Sequence, residues 1–254
     1  MERVGLLEEV HLKFKRFIVC ADVHGDMQDK KAVAAFLKFN EMWGAKIRVM
    51  GGDLFDFRAM RKNASKDEQE ESMGKDLDAG EKFLEDFRPT HFLRGNHDER
   101  LWALAKYGKG PLGDHANAGV REIEEILDSL KCKMYPYDKR SGIVRIGHLK
   151  ILHGYYTGDG AAKQHAIAYG SCLFGHTHTI DEKPIPGIDR RVARNIGCLC
   201  DLDMEYCRHQ PGTLRWAHGW AYGVVNERTG DYRVFQAERV GGSFYLPTNF
   251  VEIK

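Results

Sequence analysis

Five short apolar runs in this chain each lead into a glycine beside a carboxylate, imidazole or amide. "RFIVC" leads to "ADVHGD", with Asp22 and His24, and "KIRVM" to "GGDLFD", with Asp53 and Asp56. "THFLRG" leads to Asn96, His97 and Asp98, "LKIL" to His153, and "SCLFG" to His176 and His178. The runs are the length of buried strands, and they alternate with helical patterns such as "KAVAAFLKFNEMW" at 31–43. Such alternation predicts an α/β chain. In open α/β sheets the ligand crevice lies just outside the carboxyl ends of the strands. Five segments distant in sequence are therefore expected to meet at one place.

The donor types narrow the chemistry. Side chains at i and i+2 of an extended segment share one side, so Asp22 with His24, and His176 with His178, are expected to aim at common points. Carboxylate, imidazole and amide oxygen together suit divalent metals such as zinc, manganese, iron or nickel. Seven candidates are Asp22, His24, Asp53, Asn96, His153, His176 and His178. Seven exceed the four ligands of a structural zinc site and suit two ions sharing one bridging carboxylate.

The ordered set D-x-H, G-D-x-x-D, G-N-H-D, H-G and G-H-T-H resembles the calcineurin-like metallophosphoesterase family. "NIGC" at 195–198 is similar to that family's short turn after the last histidines. The resemblance implies a two-sheet β-sandwich core flanked by helices, a four-layer αββα fold. It assigns Asp22, His24 and His178 to one metal and Asn96, His153 and His176 to the other, with Asp53 bridging. His97 matches the histidine beside the leaving group, and Asp98 the carboxylate that orients it. The implied activity is hydrolysis of phosphate esters by a metal-bridged hydroxide. The implied cofactors are two divalent ions, manganese first, with iron, zinc, nickel or magnesium as alternatives.

Substrate class is read from the departures. Phosphoprotein phosphatases of this superfamily carry glutamate after the motif histidine, where Asp98 stands, and arginine directly after the second aspartate of G-D-x-x-D, where Phe57 stands. "GNHD" belongs more to diesterase and nuclease branches, so a phosphodiesterase or nuclease acting on nucleotides or nucleic acid is expected. A phosphomonoesterase is the alternative. A non-catalytic scaffold fits poorly, because no ligand position is lost.

Composition constrains the rest. With 254 residues and 43% apolar side chains, the chain suits a single domain, 1–254, with helical insertions near 58–88 and 99–145. Its 38 basic and 37 acidic residues leave a net charge of +1, so no global pull toward polyanions is expected. The charged N-terminus argues against a secretory signal, no run is long enough to span a membrane, and six cysteines without a small-scaffold pattern fit a reducing cytoplasm. Arg94 and Arg100, which flank "GNHD", are candidate phosphate contacts. Asp26 is expected to cap a helix at 27–43. Cys198, Cys200, Cys207 and His209 raise the question of a second metal site. Trp216 and Trp220 are expected in the core, and "KCKMYPYDKR" at 131–140 as an exposed connection. The strand-rich tail after 190 is expected to build a second sheet.

Overall fold

The computed structural model describes residues 14–61, 64–71 and 73–245; the charged N-terminal stretch falls mostly outside them. In chain order the elements are β1 (Phe14–Cys20), α1 (Lys30–Trp43), β2 (Ile47–Met50), α2 (Lys66–Glu70), α3 (Met73–Phe87), β3 (His91–Leu93), α4 (Asp98–Tyr107) and α5 (Gly110–Ser129). Then come β4 (Lys133–Tyr135), β5 (Val144–Ile146), β6 (Leu149–Leu152), α6 (Ala161–Tyr169) and β7 (Cys172–Phe174). β8 (Ile180–Ile185), β9 (Arg191–Ile196), β10 (Gly219–Asn226), β11 (Tyr232–Val240) and β12 (Ser243–Phe244) complete the order.

Two sheets result, in the orders β12-β11-β10-β1-β2-β3-β4 and β5-β6-β7-β9-β8. β1 through β4 are parallel neighbours, as are β6, β7 and β9. Strand alternation explains the layering, because successive side chains point to opposite faces. Ile18 and Cys20 face a core shared with Phe36 of α1, Phe83 of α3 and Ile123 of α5. Phe17 and Val19 face the second sheet, packing with Ile151 and Leu173. On the far side of that sheet, Leu152 and Phe174 pack beneath Ala162 and Ala166 of α6. The layers are therefore helix, sheet, sheet, helix. Strands covered on both faces read as unbroken apolar runs, which is why the central ones stood out in the sequence.

Two expectations need correction. The tail does not build the second sheet: β10, β11 and β12 extend the first one beside β1, and only β9 joins the other. The second sheet comes mainly from residues 144–196. β8, "IDEKPI", lacks an apolar run because it is an exposed edge carrying Pro184, where proline costs no central ladder bond. Asp26 caps nothing. Asp29 is the N-cap of α1, accepting from Ala32 N–H at 2.7 Å, while Asp26 takes both prongs of the Arg58 guanidinium.

Candidate metal centre

The expected ligands follow β1, β2, β3, β6 and β7, all at carboxyl ends. Their side chains meet. His178 Nε2 lies 3.2 Å from His24 Nε2 and 3.4 Å from Asp22 Oδ1. His153 Nε2 lies 3.2 Å from Asp53 Oδ2 and 3.1 Å from Asn96 Oδ1. Asp53, His153 and His176 form one compact donor group, and Asp22, His24 and Asp53 another. Asp53 belongs to both groups.

The convergence does not use extended geometry. Asp22, His24, Asp53, His176 and His178 all have positive φ, between 52° and 71°. Only three other described non-glycine residues do, among them Phe57. Left-handed backbone is costly for such side chains and collects at functional sites. Each loop turns back sharply and throws its donor inward. Two glycines make room for the packing. A Cβ on Gly52 would lie 2.5 Å from His153 Nδ1, and one on Gly95 2.1 Å from Asp53 Oδ1.

The electrostatics fit cations. Asp22 and Asp53 are buried, and among the described residues their ion-pair partners are all histidines. A buried carboxylate needs opposite charge or a metal. In the metal-free cluster, protons supply it. Burial opposes charge on His153 and His178, yet Asp53 and Asp22 outweigh it and push each imidazole up to about 9. Burial pulls His176 down to about 4 and lowers His24 as well. Neutral imidazoles beside paired carboxylates are a donor set that two divalent ions can satisfy.

Asp98 does not orient His97. Its carboxylate accepts backbone N–H bonds from Asp53 at 2.8 Å, Phe55 at 2.9 Å and Gly95 at 2.8 Å. It ties two ligand loops together from beneath. The carboxylate against the His97 ring is Asp56, with Oδ1 2.5 Å from Nδ1. The same oxygen lies 3.3 Å from His24 Nδ1, so one acid bears on both rings. Asp98→Ala is therefore expected to cost stability rather than proton transfer. Three buried donors lose their acceptor, worth at least about 3 kcal/mol at ~1 kcal/mol or more each. Urea unfolding of the metal-free variant tests this; a wild-type midpoint would refute it.

The two arginines separate. Arg100 Nη1 donates to the Asp56 carbonyl at 2.7 Å and stands at the site. Arg94 is taken up elsewhere, 3.4 Å from Glu99 and over the Trp102 ring. Of the four tail residues, Cys198, Cys200 and Cys207 share one buried cluster with Met204, and His209 stays outside it. Cys198 Sγ turns to Ala217 O, Cys207 Sγ to Met204 O, and His209 is exposed. Cys200 instead approaches His178, its Sγ 3.7 Å from Nδ1.

Several neighbours escaped the sequence reading. Asp76, on α3 of the first insertion, accepts from Asp56 and Phe57 N–H and holds that loop. Tyr137 stands edge-on to His153 and donates to Gly154 O. Trp216 is half-buried against the Cys198–Cys200–Cys207 cluster, its ring centre 4.2 Å from that of His178; Trp220 is core as expected. Asp76 had no motif, being one acid in an acidic stretch. Tyr137 and Trp216 are placed by long-range packing.

A two-sheet αββα sandwich with a buried His/Asp cluster over parallel strand ends defines a metal-dependent hydrolase. A model of the calcineurin-like phosphoesterase family matches residues 15–179. The chain belongs to that family. Similar solved structures include a conserved uncharacterized protein, a predicted phosphoesterase, from Streptococcus pneumoniae TIGR4, with 14% identity, 92% of this chain and 97% of that one covered, and TM-score 0.39. Vps29 from Chaetomium thermophilum has 9% identity, covers 88% and 95%, and gives TM-score 0.41. Yfce, a phosphoesterase from E. coli, has 14% identity, covers 87% and 98%, and gives TM-score 0.37. No curated protein matches. No helix among the described residues is long and apolar enough to cross a membrane.

Proposed function

We propose that this chain is a single-domain, dinuclear metal phosphodiesterase or nuclease, acting on nucleotides or nucleic acid with manganese as the preferred ion. Asp22, His24 and His178 would hold one cation, and Asn96, His153 and His176 the other, with Asp53 between them. When bound, such a pair supplies hydroxide at neutral pH and neutralises charge on the phosphoryl oxygens. The protein's own residues then do the remaining work. His97, held at Nδ1 by Asp56, turns Nε2 toward the cation side, 4.0 Å from Asp53 Oδ2. From there it hands a proton to the departing ester oxygen. Arg100, in the first turn of α4, braces Asp56.

The observation that carries the diester reading is the state of the arginines. Arg58 is held by Asp26 and Glu71, and Arg94 by Glu99. That leaves Arg100 at the site. One guanidinium matches the single negative charge of a diester better than the two of a monoester. The residue after Asp56 is Phe57, buried in the helical-side core, where protein phosphatases of the superfamily resemble one another in carrying arginine.

The test is a panel assay on protein loaded with manganese. It compares bis-p-nitrophenyl phosphate, p-nitrophenyl phosphate, cyclic nucleotides and short single- and double-stranded DNA. The diester is expected to exceed the monoester by about tenfold or more in kcat/KM, a difference of ~1.4 kcal/mol in transition-state binding. The reverse order would assign the site to monoesters.

A further inference from the structure

The matched family region ends at residue 179, yet the cluster does not. Residues 198–200 pass directly behind it, and the backbone there is clamped on both sides. Leu199 N–H donates to Asp22 O at 3.0 Å, and Asp29 N–H to Leu199 O at 2.8 Å. Cys198 N–H donates to Ala217 O at 3.0 Å, and Gly219 N–H to Cys198 O at 3.1 Å. His218 Nε2 meets Cys200 O at 2.8 Å. The Cys200 side chain is fully buried, packed with Cys198, Met204 and Cys207 on one side and against the His178 ring on the other. Its sulfur lies 3.7 Å from His178 Nδ1, within 4.8 Å of a His24 nitrogen as well.

The His178 ring has two nitrogens with different duties. Nε2 faces His24 Nε2 and Asp22, the side a cation would occupy. Nδ1 then carries the proton and needs an acceptor, because the partner of the second nitrogen fixes tautomer and ring orientation. Most such partners are carboxylates or carbonyls. Here the acceptor within reach is a sulfur. Trp216 covers a face of the ring, so ring and thiol are packed as a unit.

We propose that Cys200 is a positioning residue for the Asp22–His24–His178 half of the centre, accepting the His178 Nδ1 proton on its sulfur and so setting that half's hold on its cation. The inference rests on the ligand assignment proposed above. It makes the centre unequal. His153, in the other half, turns Nδ1 to the Gly51 carbonyl at 3.0 Å, a stronger acceptor. The two halves therefore differ in the outer partner of one histidine, sulfur in one and carbonyl in the other.

The experiment is titration of metal-free protein with Mn²⁺ and, separately, Co²⁺, using wild type, Cys200→Ala and His178→Ala. Wild type is expected to bind two ions. In Cys200→Ala the affinity that His178→Ala abolishes falls about tenfold, the lower end for loss of an outer partner, and the other stays. A merely structural defect would weaken both; metal-free thermal unfolding of each variant measures that separately. Two unchanged affinities in Cys200→Ala overturn the inference. So does a sulfur-to-cobalt charge-transfer band in wild type that the alanine variant loses, since Cys200 would then bind metal itself. A wild type that binds no second ion, and behaves like His178→Ala, sinks the ligand assignment and this inference with it.

Discussion

Asp53→Asn is expected to empty the cation pair, not merely to slow the enzyme. Asp53 is buried and belongs to both donor groups, 3.2 Å from His153 on one side and within ligand distance of Asp22 and His24 on the other. Asparagine keeps the volume and keeps an oxygen for the His97 backbone N–H, which Asp53 Oδ1 accepts at 2.7 Å. The loop should therefore hold while the negative charge is lost. Outer-shell substitutions already cost ~10–100-fold in metal affinity, so losing a shared carboxylate should exceed ~100-fold at one or both positions. Metal analysis after equilibrium dialysis against micromolar Mn²⁺ measures it. Two ions retained per chain would remove Asp53 from the bridging role.

The same substitution has a second signature. In the metal-free protein, Asp53 outweighs burial at His153 and lifts its pKa to about 9. For a histidine raised above its unfolded value, the stability it contributes is present below about 6.5 and fades as pH rises toward about 9. Removing the Asp53 charge should erase the part of that pH dependence due to this pair. Bound cations would replace the His153 proton, so the wild-type dependence itself should flatten on metal loading.

How much of this was legible in the sequence follows from where each interaction lives. The convergence of the donor loops was readable because strand ends leave a local trace, an apolar run followed by glycine and donors, at Asp22, Asp53, Asn96, His153 and His176. The layering followed from the same runs, since β1 buries Ile18 on one face and Val19 on the other. Sheet membership was not legible. Nothing in "WAYGVVN" says that β10 pairs with β1, roughly two hundred residues earlier, rather than with β9. The support of the site was equally hidden. The family resemblance pairs Asp98 with His97, but α4 starts at Asp98 and turns its carboxylate back under Asp53 and Phe55. Asp56 reaches both rings because the loop after β2 is folded back, with Asp76 of α3 holding its amides. Such contacts are set by tertiary packing, and no spacing rule within one motif encodes them.

His97→Ala is expected to keep its metals and lose its turnover on natural-type esters. The ring is bound to Asp56 at Nδ1, it lies edge-on to His24 with centres 4.6 Å apart, and it is partly open to solvent. With His24 and Asp56 it forms a further donor group, but the seven proposed ligands leave it free to move a proton. General acid assistance is worth ~10²–10⁴ in rate, and its value grows as the leaving group becomes more basic. A nucleoside alkoxide should therefore lose the full factor, while an aryl oxide that departs unprotonated should lose far less. Comparing kcat for a dinucleotide with kcat for bis-p-nitrophenyl phosphate in wild type and variant isolates that difference. Equal losses on both substrates would mean that His97 acts on binding or on the cations. No loss on either would mean that the leaving oxygen takes its proton from water, and the pairing of His97 with Asp56 would then need another purpose.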